Sequence, residues 1–155
     1  VPGTDASKIS KSSPAGMDPR LVVSIVNGVA AGLDVAVGET VMHLERVLLA
    51  DDERIGLEST YLPLSRFAGL YQTFDPETSL YAAIRAAGVQ FASAEERIET
   101  ILPTPREAAL LLTTTAMPML HLRRRSRDAD GRPIEMVRAL YRGDRVAFET
   151  TLADG

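Results

Sequence analysis

Four charged residues fall where strands should be apolar. Thr40 to Ala50 reads as a strand with Met42, Leu44, Arg46 and Leu48 on one face and Val41, His43, Glu45, Val47 and Leu49 on the other. Met119 to Asp128 reads as another strand, which sets Arg124 beside Leu120 and Leu122. Glu58 lies on the strand returning from the first, on a face with Gly56, Thr60 and Leu62. Glu135 opens a face that continues through Val137 and Ala139 to Tyr141. A guanidinium cannot discard its charge, and a lone buried carboxylate is too costly to leave unpaired. Two readings are therefore open. Arg46 and Arg124 pair with Glu58 and Glu135, or the arginines await an anionic ligand, for which their planar fork of donors is suited. The two are compatible, because a pair inside a cavity can open for a ligand.

Other polar groups point less sharply to chemistry. Ser79, Leu80 and Tyr81 open a helix, whose N-terminus is a natural anion site; a plain capped helix with Tyr81 packed on the sheet is the simpler reading. Arg123, Arg125 and Arg127 alternate on the strand face opposite Arg124 and read as a solvated face, one short run being a weak nucleic-acid footprint. His43 and His121 are the only histidines. Two ligands without a third make a poor metal site, so both read as strand packing and no metal is expected. There is no Gly-x-Ser-x-Gly elbow and no phosphate-binding Gly-Lys-Ser/Thr loop, and no catalytic residue is assigned.

The elements that must position these groups follow in order. Val1 to Gly16, rich in Ser, Lys, Pro and Gly, reads as a linker or an edge strand, with the boundary set after residue 17. Asp18-Pro19 predicts a helix start, with Leu21, Val22, Ile25, Val26, Val29 and Leu33 as its apolar stripe. Asp34 to Gly38 is a turn. Asp51-Asp52-Glu53 turns the first strand back along Arg54 to Leu62, and Pro63 to Gly69 is a short helix or turn. A helix capped by Thr78 or Ser79 runs through Ala87 and stops at Gly88. Val89 to Leu102 is a long polar strand. Thr104-Pro105-Arg106-Glu107 is a capping box for a helix to about Leu112. Pro133 to Arg142 is the return strand of a second hairpin, and Val146 to Leu152 a last short strand.

The two hairpins echo one another: Met42-His43-Leu44-Glu45-Arg46 against Leu120-His121-Leu122-Arg123-Arg124. The echo predicts a two-fold helix-plus-hairpin arrangement, one antiparallel sheet with helices on one side, an α+β fold.

Composition sets the outer limits. The chain has 155 residues, 45% of them hydrophobic and 25% charged, which suits one soluble domain with a real core. It has no cysteine, hence no disulfide, thiolate nucleophile or Cys-based metal site. A formal net charge of −4 argues against this stretch alone gripping nucleic acid. No apolar run spans a bilayer and no signal peptide is visible, which fits a cytoplasmic protein. Beginning at Val1 rather than Met, the chain is expected to be a fragment or a processed product.

Gly131-Arg132-Pro133-Ile134-Glu135 followed by Leu140-Tyr141-Arg142-Gly143-Asp144-Arg145 resembles the closing motif of UTRA domains, the effector-binding domains of HutC-type GntR transcription regulators, which are related in fold to chorismate lyase. The resemblance extends over about Asp18 to Leu152, through Gly38-Glu39-Thr40-Val41, Leu44-Glu45-Arg46, Glu58 with Tyr61-Leu62-Pro63, and Ser79-Leu80-Tyr81. It implies a small-molecule sensing and dimerisation domain over residues 18–155, without a cofactor. It further implies a homodimer whose contact a C-terminal strand helps to make, and DNA binding through a winged helix-turn-helix outside this chain. The implied ligand-binding residues are Arg46, Glu58, Ser79, Tyr81, Glu135 and Tyr141; Arg124 joins them from its strand face. Sugar-phosphate sensors of the family often carry a second basic residue where Leu48 stands, so the resemblance turns toward a smaller anionic or polar metabolite with one carboxylate. The rival readings are a chorismate-lyase-like enzyme and a degenerate dimerisation module.

Overall fold

The computed structural model describes residues 21–25, 33, 35–75 and 78–150. Six strands form one sheet, β1 (Leu21–Ile25), β2 (Thr40–Ala50), β3 (Glu53–Pro63), β4 (Ser93–Ile101), β5 (Met119–Arg127) and β6 (Pro133–Arg142). Their spatial order is β1-β2-β3-β6-β5-β4, each strand antiparallel to its neighbours. Among the described residues the helices α1 (Leu64–Thr73), α2 (Leu80–Ala86) and α3 (Pro105–Leu110), with Leu33 in a further helical turn, make the fold α+β. The order is a palindrome: β3 and β6 meet at the centre, β2 and β5 flank them, and β1 and β4 form the edges. The sequence echo between the hairpins is thus a spatial two-fold.

Each hairpin closes with chemistry that its turn demands. Asp51 (φ 48°) and Asp52 (φ 63°) form a two-residue left-handed turn, which suits the twist of the strands it joins and which Asp tolerates better than most residues. In the second hairpin the Asp128 carboxylate accepts from the backbone N–H of Asp130 and of Arg132, at 3.0 and 2.8 Å, and Gly131 takes the positive φ. Ser79 caps α2 through the Ala82 N–H, and Thr104 and Glu107 form a reciprocal capping box on α3.

The helices lie on both faces of the sheet, which corrects the one-sided arrangement expected from the echo. Phe67 of α1 and Leu80 and Ile84 of α2 pack with Met42, Leu44 and Leu62. Leu110 at the end of α3 and Leu111 pack instead with Val47, Leu57, Met119 and Leu140, which alternate to the other face. Both faces of the central strands are therefore buried.

Three further expectations change. Leu21–Ile25 is strand β1, paired with Thr40–Leu44, where a helix was expected. Leu, two Val and Ile in a five-residue window satisfy a helical stripe and a buried strand equally, and the free edge of β2 decides for the strand. The proposed cap at Asp18-Pro19 and the segment before it lie outside the described residues. Residues 146–150 form no strand; Phe148 instead folds onto Tyr141, Leu122, Val137 and Ala139. The long polar strand expected from Val89 begins at Ser93 instead, as β4.

Candidate functional site

The face of the sheet beneath α2 and Phe148 carries a cluster of guanidinium and carboxylate groups at its centre. Strand alternation and register bring them there. Arg46 on β2 lies directly across from Glu58 on β3, and Glu58 across from Ala139 on β6. One row along, Thr60, Val137, Arg124 and Glu96 follow one another across β3, β6, β5 and β4. Glu135 faces Ser126, and Tyr141 faces Gly56.

Arg46 is only 6% exposed. Its Nη2 donates to Glu58 Oε1 at 2.6 Å, and its Nη1 to the Thr78 carbonyl at 3.2 Å, just ahead of α2. Its Nε, fully buried, has no acceptor among the described residues. Arg124 donates through Nε to Glu135 Oε1 at 3.1 Å and through Nη1 to Glu96 at 3.4 Å. Ser126 Oγ adds a second hydrogen bond to the Glu135 oxygen at 3.0 Å. Burial works against the Arg124 charge, but Glu135, Glu58 and Glu96 outweigh it and hold the guanidinium above its ordinary pKa. Tyr141 stands amid all of these groups. Burial, reinforced by Glu58 and Glu96 against Arg124 and Arg46, pushes its phenol up to about 12, so it remains a hydrogen-bond donor at neutral pH. Gly56 makes room for this ring: a Cβ there would lie 2.9 Å from Tyr141 Cδ1.

Five of the seven residues singled out from sequence thus share one cluster: Arg46, Glu58, Arg124, Glu135 and Tyr141. Ser79 lies next to Thr78 and is engaged in capping α2. Tyr81 stands apart, 45% exposed, stacked on Phe91 at 4.4 Å and covered by Arg85 at 4.9 Å. The inward groups were expected to line a hollow. They close instead on one another, because a guanidinium that cannot shed its charge takes the nearest carboxylate. A wide-mouthed hollow of about 500 Å³ lies between α1 and α2, lined by Leu70, Thr73, Phe74, Thr78, Ala83 and Ala87 among others. Thr78, acceptor of the Arg46 hydrogen bond, is one of its walls.

Three participants escaped the sequence reading. Ser126 was available from alternation, being two residues after Arg124. Glu96 needed the β4–β5 register, and the Thr78 carbonyl is a backbone group that no side-chain pattern reports. On the opposite face His43 stacks on Tyr61 at 4.4 Å, and His121 Nδ1 lies 3.3 Å from Glu99. Among the described residues no group of His, Asp or Glu is placed to hold a metal ion.

An antiparallel α+β sheet of this form is found in solved effector domains of transcription regulators. The crystal structure of PhnF from Mycobacterium smegmatis superposes with a TM-score of 0.81 at 44% identity, over 90% of this chain and 61% of that one. The C-terminal domain of a histidine utilization repressor from Pseudomonas syringae shares the fold, with a TM-score of 0.79 at 21% identity, over 87% of this chain and 95% of that one. In sequence, the HTH-type transcriptional repressor PhnF of Mycolicibacterium smegmatis is 50% identical over 123 residues, 79% of this chain and 50% of the relative. The HTH-type transcriptional repressor NagR of Bacillus subtilis is 28% identical over 110 residues, 70% of this chain and 45% of the relative. The pattern of the UTRA domain matches residues 22–147. The chain belongs to the UTRA domain family, and it spans about half the length of the relatives it matches in sequence.

Proposed function

We propose that residues 18–155 are the ligand-sensing and dimerisation unit of a GntR-type regulator of the HutC kind, acting in the cytoplasm, and that they catalyse no reaction. The regulator reads DNA through a winged helix-turn-helix outside this chain; the naming of PhnF and NagR as HTH-type repressors supports this reading. The observation that carries it is Arg46, buried among apolar side chains with its Nε unmatched by any acceptor among the described residues. The donor left over beside the ion pair is the one that an anionic ligand would take.

A small anionic or polar metabolite binds on this face, its anionic part taken by Arg46. Glu58 and Glu135 accept from its donors, and Tyr141 donates from its phenol. Ser79, Tyr81 and the hollow between α1 and α2 border the route to Thr78. Contacts present in only one arrangement of a homodimer shift the population toward that arrangement, and the DNA-binding heads change spacing.

A thermal-shift panel of organic acids, sugar phosphates, amino acids and amines tests the reading. At least one class raises the melting temperature of the wild type, and Arg46→Ala weakens that ligand by about 1.5–3 kcal/mol, the scale of a hydrogen bond to a charged group. A ligand that binds Arg46→Ala as well as the wild type removes the clamp. Steady release of pyruvate from chorismate would replace the sensor by an enzyme.

A further inference from the structure

The cluster restricts the charge of what it can bind. Two guanidiniums, Arg46 and Arg124, face three carboxylates, Glu58, Glu96 and Glu135. Among the described residues one carboxylate of the cluster is in excess before any ligand arrives. Resting on the reading of this face as the sensing site, we infer that its ligand is a zwitterion: a small molecule that carries an ammonium close to its carboxylate.

Exchange of partners is the reason. Glu58 is held by Arg46 Nη2 at 2.6 Å and is itself only 16% exposed. A plain anion that takes Arg46 displaces Glu58 and leaves its charge buried without a partner, the costly half of a broken ion pair. Retreat toward Arg124 brings little relief, because Glu135 and Glu96 already occupy that guanidinium. A plain cation has the mirror problem and leaves Arg46 unmatched. A zwitterion replaces one internal pair by two external ones. Its anion takes the Nε and Nη2 edge of Arg46, where Nε now has no acceptor and Glu58 holds only Nη2. Its ammonium goes to Glu58, with the surplus carboxylate nearby. Tyr141, kept protonated, donates to an oxygen of the anion.

The same geometry makes Glu58 the residue that sets specificity. It selects against anions by competing for Arg46 and selects for ammonium by pairing with it. Replacing Glu58 by a neutral isostere therefore moves the two ligand classes in opposite directions, an effect that general damage to the fold does not produce.

The test is calorimetric titration of the 155-residue chain with chain-length-matched probes. The ω-amino carboxylates are compared with the corresponding alkyl carboxylates and alkylamines. The best zwitterion binds at least about tenfold tighter than either matched single ion, the factor that one charge-assisted hydrogen bond makes. Glu58→Gln, checked for an unchanged circular dichroism spectrum, loses that preference and binds the plain anion more tightly than the wild type does. Glu135→Gln is the parallel variant should Glu58→Gln fold poorly, and it narrows the preference in the same direction. A wild type that binds plain anions as well as zwitterions, with Arg46 required, overturns the zwitterion and leaves the sensing site standing. A zwitterion preference that survives both Gln variants overturns the assignment to these carboxylates. Binding of no probe by the wild type removes the sensing site and the inference together.

Discussion

If the Arg46–Glu58 pair is held for a ligand, removing it whole should cost the fold little, whereas removing half should cost a great deal. Arg46→Met takes away the guanidinium and keeps much of its length beside Met42, Leu44 and Leu48. Glu58, 16% exposed, is then a charge without its partner, and the Thr78 carbonyl loses a donor. Orphaning a buried ion costs about 3–5 kcal/mol, and the lower end applies because Glu58 keeps some solvent and feels Arg124. The lost donor to Thr78 adds about 1 kcal/mol, and the apolar methionine recovers a similar amount. The single variant is therefore destabilised by about 3 kcal/mol, or about 6–12 °C in Tm for a chain of this size. Glu58→Leu orphans Arg46, which is more buried still, and costs at least as much. The double variant Arg46→Met with Glu58→Leu exchanges a buried pair for apolar contacts and should fall within about 1 kcal/mol of the wild type, since such exchanges are often neutral or stabilising. Urea unfolding followed by circular dichroism, with equal slopes for all four proteins, gives the coupling energy directly. The double variant should be stable and blind to ligand. If its loss equals the sum of the two single losses, the coupling energy is zero, each side chain stabilises the sheet on its own, and the account of a held pair fails.

Two further outcomes follow from the same face and its reverse. Gly56→Ala places a Cβ 2.9 Å from Tyr141 Cδ1 and 3.0 Å from the Leu140 carbonyl oxygen; the backbone cannot yield, so the ring must. Expected are a loss of about 1–3 kcal/mol by denaturant unfolding and weaker ligand binding as Tyr141 turns away, whereas wild-type stability in this variant would mean the ring is not seated as described. Burial lowers the pKa of His43, with Arg106 adding to it against Glu45, and burial with Arg138 and Arg123 does the same for His121. A histidine with a folded pKa below its unfolded value contributes fully above the unfolded value, about 6.5, and loses that contribution as the pH falls through it. Melting temperature should thus decline from pH 7 toward pH 5, and the decline should shrink in His43→Gln and His121→Gln; an unchanged slope in both would assign the acid sensitivity to carboxylates.

Legibility from sequence varied with how local the determining physics was. The bounds of β2 and β6 were readable because alternation, Asp51-Asp52 and Gly131-Arg132-Pro133 mark them within a few residues. The α3 capping box and the Ser79 cap were readable for the same reason. β1 was misread because its five residues contain no information that separates a buried helix turn from a strand; the partner at the edge of β2 supplies it. Over residues 146–150 the predicted last strand is absent, and Phe148 packs edge-on against Tyr141 beside Leu122, Val137 and Ala139, a contact that alternation within the segment does not report. In the candidate site, alternation put Arg46, Glu58, Arg124 and Glu135 on apolar faces but left two readings open, mutual pairing and a waiting anion; the strand register brings the pairs together. Tyr81 was drawn toward the site by its place on α2, but its ring turns to Phe91.

By itself, then, the sequence determined the two hairpins, the caps and the presence of charges that must be neutralised inside, since each depends on neighbours within one turn or one strand. The tertiary structure alone decided which charges meet, that Glu96 and the Thr78 carbonyl join them, and that among the described residues one carboxylate of the cluster is in excess and Arg46 keeps a spare donor. Those facts depend on the register between strands far apart in the chain and on the depth of burial, and neither is a property of any local stretch of residues.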